Sequence, residues 1–177
     1  MSKARVATLW LDGCSGCHMS ILDMDERLLE LAGKMELVFG PYVDVKKFPE
    51  NVDVAMVEGA VSSDEDLEKI RMVRARTRLL VSLGDCAVTA NVPSMRNPFS
   101  TKSILDRAYV ENATLKPGPP QEAVPMLLPQ ARPIHEFVKV DIFVPGCPPS
   151  ADTIYKVLLG ILEGNAPKMS ALTRFGA

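Results

Sequence analysis

The stretch Arg5-Val6-Ala7-Thr8-Leu9-Trp10-Leu11-Asp12-Gly13-Cys14-Ser15-Gly16-Cys17-His18 decides how the chain is to be read. Arg5–Leu11 is short, apolar and rich in β-formers, which is the pattern of a buried strand. Asp12 to Cys17 reads as a turn. From His18 to about Leu31 the apolar residues Ile21, Leu22, Leu28 and Leu29 recur at helical spacing. Asp23, Asp25 and Glu26 stand early in that segment, where the helix dipole favours acids, and Gly33 fits its stop.

The same alternation continues outward. A short apolar piece, Glu36–Phe39, ends at Gly40-Pro41. Val52–Val57 is a second clear strand, followed by Glu58-Gly59. Ser62-Ser63-Asp64-Glu65-Asp66 has the form of a helix start, and a basic helix is expected to run to about Arg76. Arg78–Leu83 is another strand, ended by Gly84-Asp85-Cys86. A short helix is expected near Ser100–Tyr109. An irregular connection follows over about 111–139, with six prolines between Pro117 and Pro133. Val140–Val144 is the last strand, closed by Pro145-Gly146-Cys147-Pro148-Pro149. Ser150 then caps a helix over Ala151 to about Glu163, ended by Gly164. Apolar strands alternating with helices imply an α/β fold: a doubly wound parallel sheet with helices on both faces. The length of 177 residues suits a single domain, 1–177.

Composition narrows the function. The net charge is −2 and aromatic residues make up 6%. There is no basic stripe for nucleic acid and little to stack bases on. Mean hydropathy is +0.08, which fits either an efficient core or apolar surface covered by a partner. Met1-Ser2-Lys3-Ala4-Arg5 leads straight into the first strand, with no signal-peptide pattern. The longest apolar run, Val157–Leu162, is far short of a membrane span. A cytoplasmic protein is expected, in which thiols stay reduced.

Its four cysteines then need a reason other than disulfides. In open parallel sheets, sites form outside the carboxyl ends of the strands. Cys14 and Cys17 follow the first strand, Cys86 follows the Arg78–Leu83 strand and Cys147 follows the Val140–Val144 strand. Glu58 ends a strand on the same edge. One C-x-x-C and two distant single cysteines suit an iron–sulfur cluster at a sheet edge better than the paired knuckles of structural zinc. Gly13, Gly16 and Gly146 leave room for backbone beside a bulky group. Zinc, a thioredoxin-type thiol pair at Cys14 and Cys17, and unligated core cysteines remain as alternatives.

The pieces Leu11-Asp12-Gly13-Cys14-Ser15-Gly16-Cys17-His18, Val57-Glu58-Gly59, Gly84-Asp85-Cys86-Ala87 and Val144-Pro145-Gly146-Cys147-Pro148-Pro149 resemble the small subunit of nickel–iron hydrogenases. The wider superfamily includes the 20-kDa cluster subunit of respiratory complex I. The resemblance covers about residues 5–164. It implies a flavodoxin-like fold and one proximal [4Fe-4S] cluster on Cys14, Cys17, Cys86 and Cys147. It also implies a large partner subunit that carries the nickel–iron centre. Many such small subunits continue into a cysteine-rich tail with further clusters; this sequence has no cysteines left for one. Complex I homologues typically carry an adjacent Cys-Cys pair where this chain has Cys14-x-x-Cys17. The pattern looks most like the small subunit of cytoplasmic, NAD-reducing bidirectional hydrogenases. Those are complexes with diaphorase subunits that hold iron–sulfur, flavin and NAD sites. The implied role is one-electron relay without catalysis by this chain alone. A complex I-type subunit coupling to quinone is the alternative within the resemblance.

Three further residues stand near the expected cluster. Glu58 is read as a hydrogen-bonding carboxylate or a proton relay. Family members often have a Glu just before the first cysteine; here that position is Gly13, with Asp12 beside it. His18 is read as a hydrogen-bonding or helix-start residue rather than a ligand. The basic run Lys69, Arg71, Arg74, Arg76 and Arg78 is expected to be a solvated helix face, and His135 to be at the surface. A flavin on this chain is disfavoured, because the first strand–helix turn carries cysteines in place of a phosphate-binding loop.

Overall fold

The structure, a computed structural model, describes residues 3–165 and 168–173. Both ends of the expected 1–177 unit lie outside the described residues.

Strand β1 (Ala4–Trp10) is followed by helices α1 (Gly16–Leu22) and α2 (Arg27–Lys34), then strands β2 (Met35–Phe39), β3 (Val52–Glu58) and β4 (Val61–Ser63). Next come α3 (Asp64–Arg76), β5 (Thr77–Leu83), α4 (Gly84–Thr89), α5 (Thr101–Asp106), β6 (Leu127–Arg132), β7 (Ile142–Val144), α6 (Ala151–Leu162) and a final turn of helix, α7 (Met169–Leu172). The main sheet has the order β2-β1-β3-β5-β7, and every pairing in it is parallel. Counting only its own strands, that is the flavodoxin order, with the reversal of winding at β1.

Alternation along the strands builds two cores, as the period of two requires. Ala7, Ala55 and Leu80 face one side, against Ile70 and Val73 of α3. Val6, Val54, Met56 and Val81 face the other, against Leu31 of α2 and Ile154, Val157 and Leu158 of α6. The expected α/β sheet with helices on both faces is what the chain forms. Helix α3 starts with a reciprocal cap: Ser63 Oγ accepts from the Asp66 N–H, and the Asp66 carboxylate accepts from the Ser63 N–H at 3.0 Å.

The structure departs from the sequence reading in several places. The helix expected over His18–Leu31 is two. Asp23 closes α1, and Asp25 takes a left-handed conformation at φ 49°, which breaks the helical ladder. Gly33 lies inside α2 rather than after it. Its roughly 1 kcal/mol propensity cost is offset by burial of Leu31 in the same helix. The 111–139 connection is not wholly irregular, because it contains β6, antiparallel to β4. Arg96 clamps this ribbon by donating to the carbonyls of Ser62 and Leu128, and Asn97 bonds both the N–H and the C=O of Ala131. The helix expected over Ser100–Tyr109 is α5 followed by a wider turn over Arg107–Glu111.

Candidate metal centre

The strand ends lie level. Trp10 pairs with Glu58, Glu58 with Leu83, and Leu83 with Val144. Each cysteine-bearing segment leaves the sheet just beyond this line. Parallel pairing therefore delivers residues distant in sequence to one rim, which sequence order alone would not do.

The turn after β1 is anchored to the turn after β3. The Asp12 N–H donates to Ala60 O at 3.0 Å and the Ala60 N–H returns to Asp12 O at 2.7 Å. Asp12 thus holds the first cysteine turn through its backbone. The turns after β5 and β7 are joined in a similar way. The Asp85 N–H donates to Gly146 O at 2.8 Å, and the buried Asp85 carboxylate accepts from the Gly146 N–H at 2.7 Å. Asp85 is therefore the residue that locks the Cys86 loop to the Cys147 loop. Its motif alone assigns it no role; an acid between Gly84 and Cys86 at the end of an apolar strand is the signal the sequence offers.

The cysteines stand around the space between these loops. Cys14 and Cys147 are exposed, and Cys17 and Cys86 are partly buried. Gly84 has φ +81°, and a Cβ there would collide with Cys17 Sγ. A Cβ on Gly16 would stand 3.3 Å from Cys14 Sγ. A Cβ on Gly13 would meet Gly59 at 3.3 Å. Among the described residues, no three His, Cys, Asp or Glu side chains gather around one point as ligands of a single metal ion do. A tetrahedral zinc would need its sulfurs about 3.8 Å apart, given Zn–S bonds near 2.3 Å. Thiols from three segments around a glycine-lined space are a donor set that fits a larger polynuclear group.

Burial pushes the Cys17 thiol far above its usual range, and the Glu58 carboxylate, Cys86 and Cys14 push it the same way. Burial also raises Cys86, with Cys147, Cys14 and Glu58 adding to it; a hydrogen bond from the Val92 backbone works against them. With their pKa raised in this way, Cys17 and Cys86 are neutral thiols at neutral pH and would become thiolates only on binding a metal.

Glu58 is 2% exposed. One carboxylate oxygen accepts from the His18 N–H at 2.9 Å, and His18 Nδ1 lies 3.2 Å from the same oxygen without lining up a hydrogen bond. The other carboxylate oxygen and both imidazole nitrogens are buried without a hydrogen-bond partner. The Tyr42 hydroxyl donates to His18 O at 2.6 Å. Burial and Glu58 together push that hydroxyl up to about 12. Sequence reasoning misses Tyr42, whose position in the loop after β2 carries no local signal. His18 is thus placed at the start of α1 with its side chain inside the fold.

The basic run is mostly paired. Lys69 meets Glu65, Arg74 meets Asp141, Arg76 meets Glu50 and Arg78 meets Asp53. His135 is exposed, edge-on to Phe143. No described helix is long and apolar enough to cross a membrane.

Sheet order and thiol rim together define a class: flavodoxin-like chains with four cysteines at the carboxyl edge of the sheet. A family profile described as NADH ubiquinone oxidoreductase, 20 Kd subunit, matches residues 14–161. The delta subunit of the NAD-reducing hydrogenase HoxS of Cupriavidus necator is 45% identical over 167 residues, covering 92% of this chain and 80% of that protein. A subunit of the F420-non-reducing hydrogenase vhu of Methanocaldococcus jannaschii is 35% identical, over 93% of this chain and 58% of that protein. The chain therefore spans a little over half of the second relative. A chain in the crystal structure of NAD+-reducing [NiFe]-hydrogenase in the H2-reduced state superimposes with a TM-score of 0.92 at 38% identity. The match covers 98% of this chain and 99% of that one. The chain belongs to the family of the 20-kDa subunit of NADH:ubiquinone oxidoreductase, and it is similar to these hydrogenase subunits.

Proposed function

We propose that this chain is the electron-transfer small subunit of a cytoplasmic, NAD-reducing nickel–iron hydrogenase, folded as one flavodoxin-like unit. Cys14, Cys17, Cys86 and Cys147 would hold one [4Fe-4S] cluster. That group, when bound, supplies one-electron transfer between the nickel–iron centre of a large subunit and diaphorase subunits with iron–sulfur, flavin and NAD sites. What supports the reading is that the four cysteines follow three strand ends on one edge of the sheet in a chain so close in shape and sequence to a hydrogenase subunit. Cys14-x-x-Cys17, in place of an adjacent pair, favours the hydrogenase branch over the quinone-coupled one.

The chain's own residues hold, space and screen. Asp85 keeps the Cys86 and Cys147 loops in register. Gly84 and Gly16 leave space beside the sulfurs of Cys17 and Cys14. Glu58 fixes the start of α1 through the His18 N–H, and with it the position of Cys17. Exposed apolar side chains flank the cysteine loops: Trp10 and Met19 by the first, Val92, Met95 and Phe99 by the second. A large partner covering this face would bury them and keep water from the sulfurs. All four cysteines are used, so this chain has no thiols for the nickel–iron centre.

Anaerobically purified complex should contain about four irons and four acid-labile sulfides on this subunit, as four-cysteine ligation of a [4Fe-4S] cluster requires. Stoichiometric zinc without iron would replace the reading with a structural zinc site. Hydrogen-dependent dye reduction should need the large subunit; turnover by this chain alone would overturn the relay role.

A further inference from the structure

Helix α4 stops at Thr89, and Ala90 turns left-handed at φ 61° with its N–H on Cys86 O at 3.0 Å. Alanine in that conformation costs roughly 1–2 kcal/mol, so the reversal persists through the contacts it makes. It folds Asn91 and Val92 back toward the thiols. Asn91 Nδ2 donates to Cys147 Sγ at 3.5 Å, across 56 residues of sequence. The Asn91 backbone is itself tied down: the Ser94 hydroxyl donates to Asn91 O at 2.7 Å and the Ser94 N–H to Ala90 O at 2.9 Å. One short turn thus presents a side-chain N–H donor to a candidate ligand sulfur from another strand.

A sulfur that ligates iron has no proton to give and can only accept. A donor aimed at it stabilises the more negative, reduced state more than the oxidised one, and hydrogen bonds to the sulfurs are among the levers that set cluster potentials. We propose that Asn91 tunes the electron carrier: its amide N–H on Cys147 Sγ raises the reduction potential of a cluster held by Cys14, Cys17, Cys86 and Cys147. The inference rests on the cluster reading above and adds a residue that is not a ligand. Asn91 acts through Cys147, so its removal changes the driving force for electron transfer rather than the ligand set.

The test compares wild-type complex with Asn91→Leu, which keeps the volume and removes the donor, Asn91→Asp, which replaces the donor with a carboxylate, and Asn91→Gln, which retains an amide. Iron content and the midpoint potential of the cluster, followed by electron paramagnetic resonance, are read for each. Asn91→Leu should keep its iron. Its ratio of reduced to oxidised cluster should fall about threefold at fixed ambient potential, about 30 mV for a one-electron couple. Asn91→Asp should fall further, and Asn91→Gln should recover part of the loss. An iron-loaded Asn91→Leu at the wild-type potential would overturn the inference and leave the cluster reading intact. Loss of iron from both Asn91→Leu and Asn91→Asp would make the side chain structural and overturn it as well. Absence of iron from the wild type would overturn the cluster reading, and the inference with it.

Discussion

The two ends of the same five strands are built on different rules. At the amino ends, charge is matched to charge: Asp53 accepts from the Arg5 N–H and pairs with Arg78, Glu50 pairs with Arg76, and Asp141 pairs with Arg74. At the carboxyl ends, thiols face one another beside a carboxylate with one buried oxygen unsatisfied, and Ala90 and Ser15 sit in left-handed conformations. The amino ends are not wholly satisfied, since Arg5 Nε and Thr77 Oγ1 are buried there without a hydrogen-bond partner and Asn51 is left-handed at φ 57°. The carboxyl ends are distinguished by cysteines from three strand ends grouped beside a buried carboxylate.

Substitutions at the carboxyl ends should break this contrast most. Cys86 separates the readings of the cysteines, because a thiol pair needs only Cys14 and Cys17. Cys86→Ser should fold but lose or degrade the cluster, since a serine oxygen is a harder ligand than thiolate. Iron content and hydrogen-dependent NAD reduction of the complex should both collapse, and wild-type values of both would make Cys86 an ordinary core cysteine. Gly84→Ala should come next. It combines a φ of +81° with a Cβ driven into Cys17 Sγ. We expect a loss of about 2–4 kcal/mol in chemical denaturation together with reduced iron occupancy; unchanged stability would show that the loop has room it does not display.

The smallest effect belongs to the amino ends. Burial works against the Asp141 carboxylate, but the Leu80 N–H and the Arg74 guanidinium outweigh it and hold its pKa below the ordinary value. A depressed carboxyl stabilises the fold above its unfolded pKa and loses that contribution as pH falls through the folded one. Asp141→Ala should therefore cost about 1–2 kcal/mol near neutral pH. The difference from wild type should close below about pH 4. A difference that persists into acid would mean that packing, and not charge, is what Asp141 supplies.

These regions also differ in how much the sequence reveals. The strands of the main sheet are legible because burial on both faces leaves continuous apolar runs such as Val52–Val57. The cysteine rim follows from them, since the fold class says where strand ends gather. The ribbon of β4 and β6 is not legible. Ser62-Ser63 reads locally as a helix start, which it also is, and Pro129 argues against a strand. Both segments are strands only because each finds the other across more than sixty residues. The break at Asp25 is hidden for the opposite reason: one left-handed residue leaves the helical spacing of the apolar side chains almost intact. Tyr42, Asp85 and Asn91 escape because their roles are contacts across the fold, with no local pattern to announce them.

Parallel pairing has a consequence in time. Cys147 reaches the rim only when β7 adds to β5 at the edge of the sheet, and 133 residues separate it from Cys14. At a synthesis rate of about 5–20 residues per second, that interval is about 7–27 s. Throughout it the growing chain displays a Cys14-x-x-Cys17 pair, joined about halfway through by Cys86, that has the sequence of a redox or zinc motif and none of the enclosure. If the proposed cluster is held there, loading with iron and sulfide is a step for the released or nearly complete chain, and a reducing, zinc-poor surrounding during translation would protect the outcome.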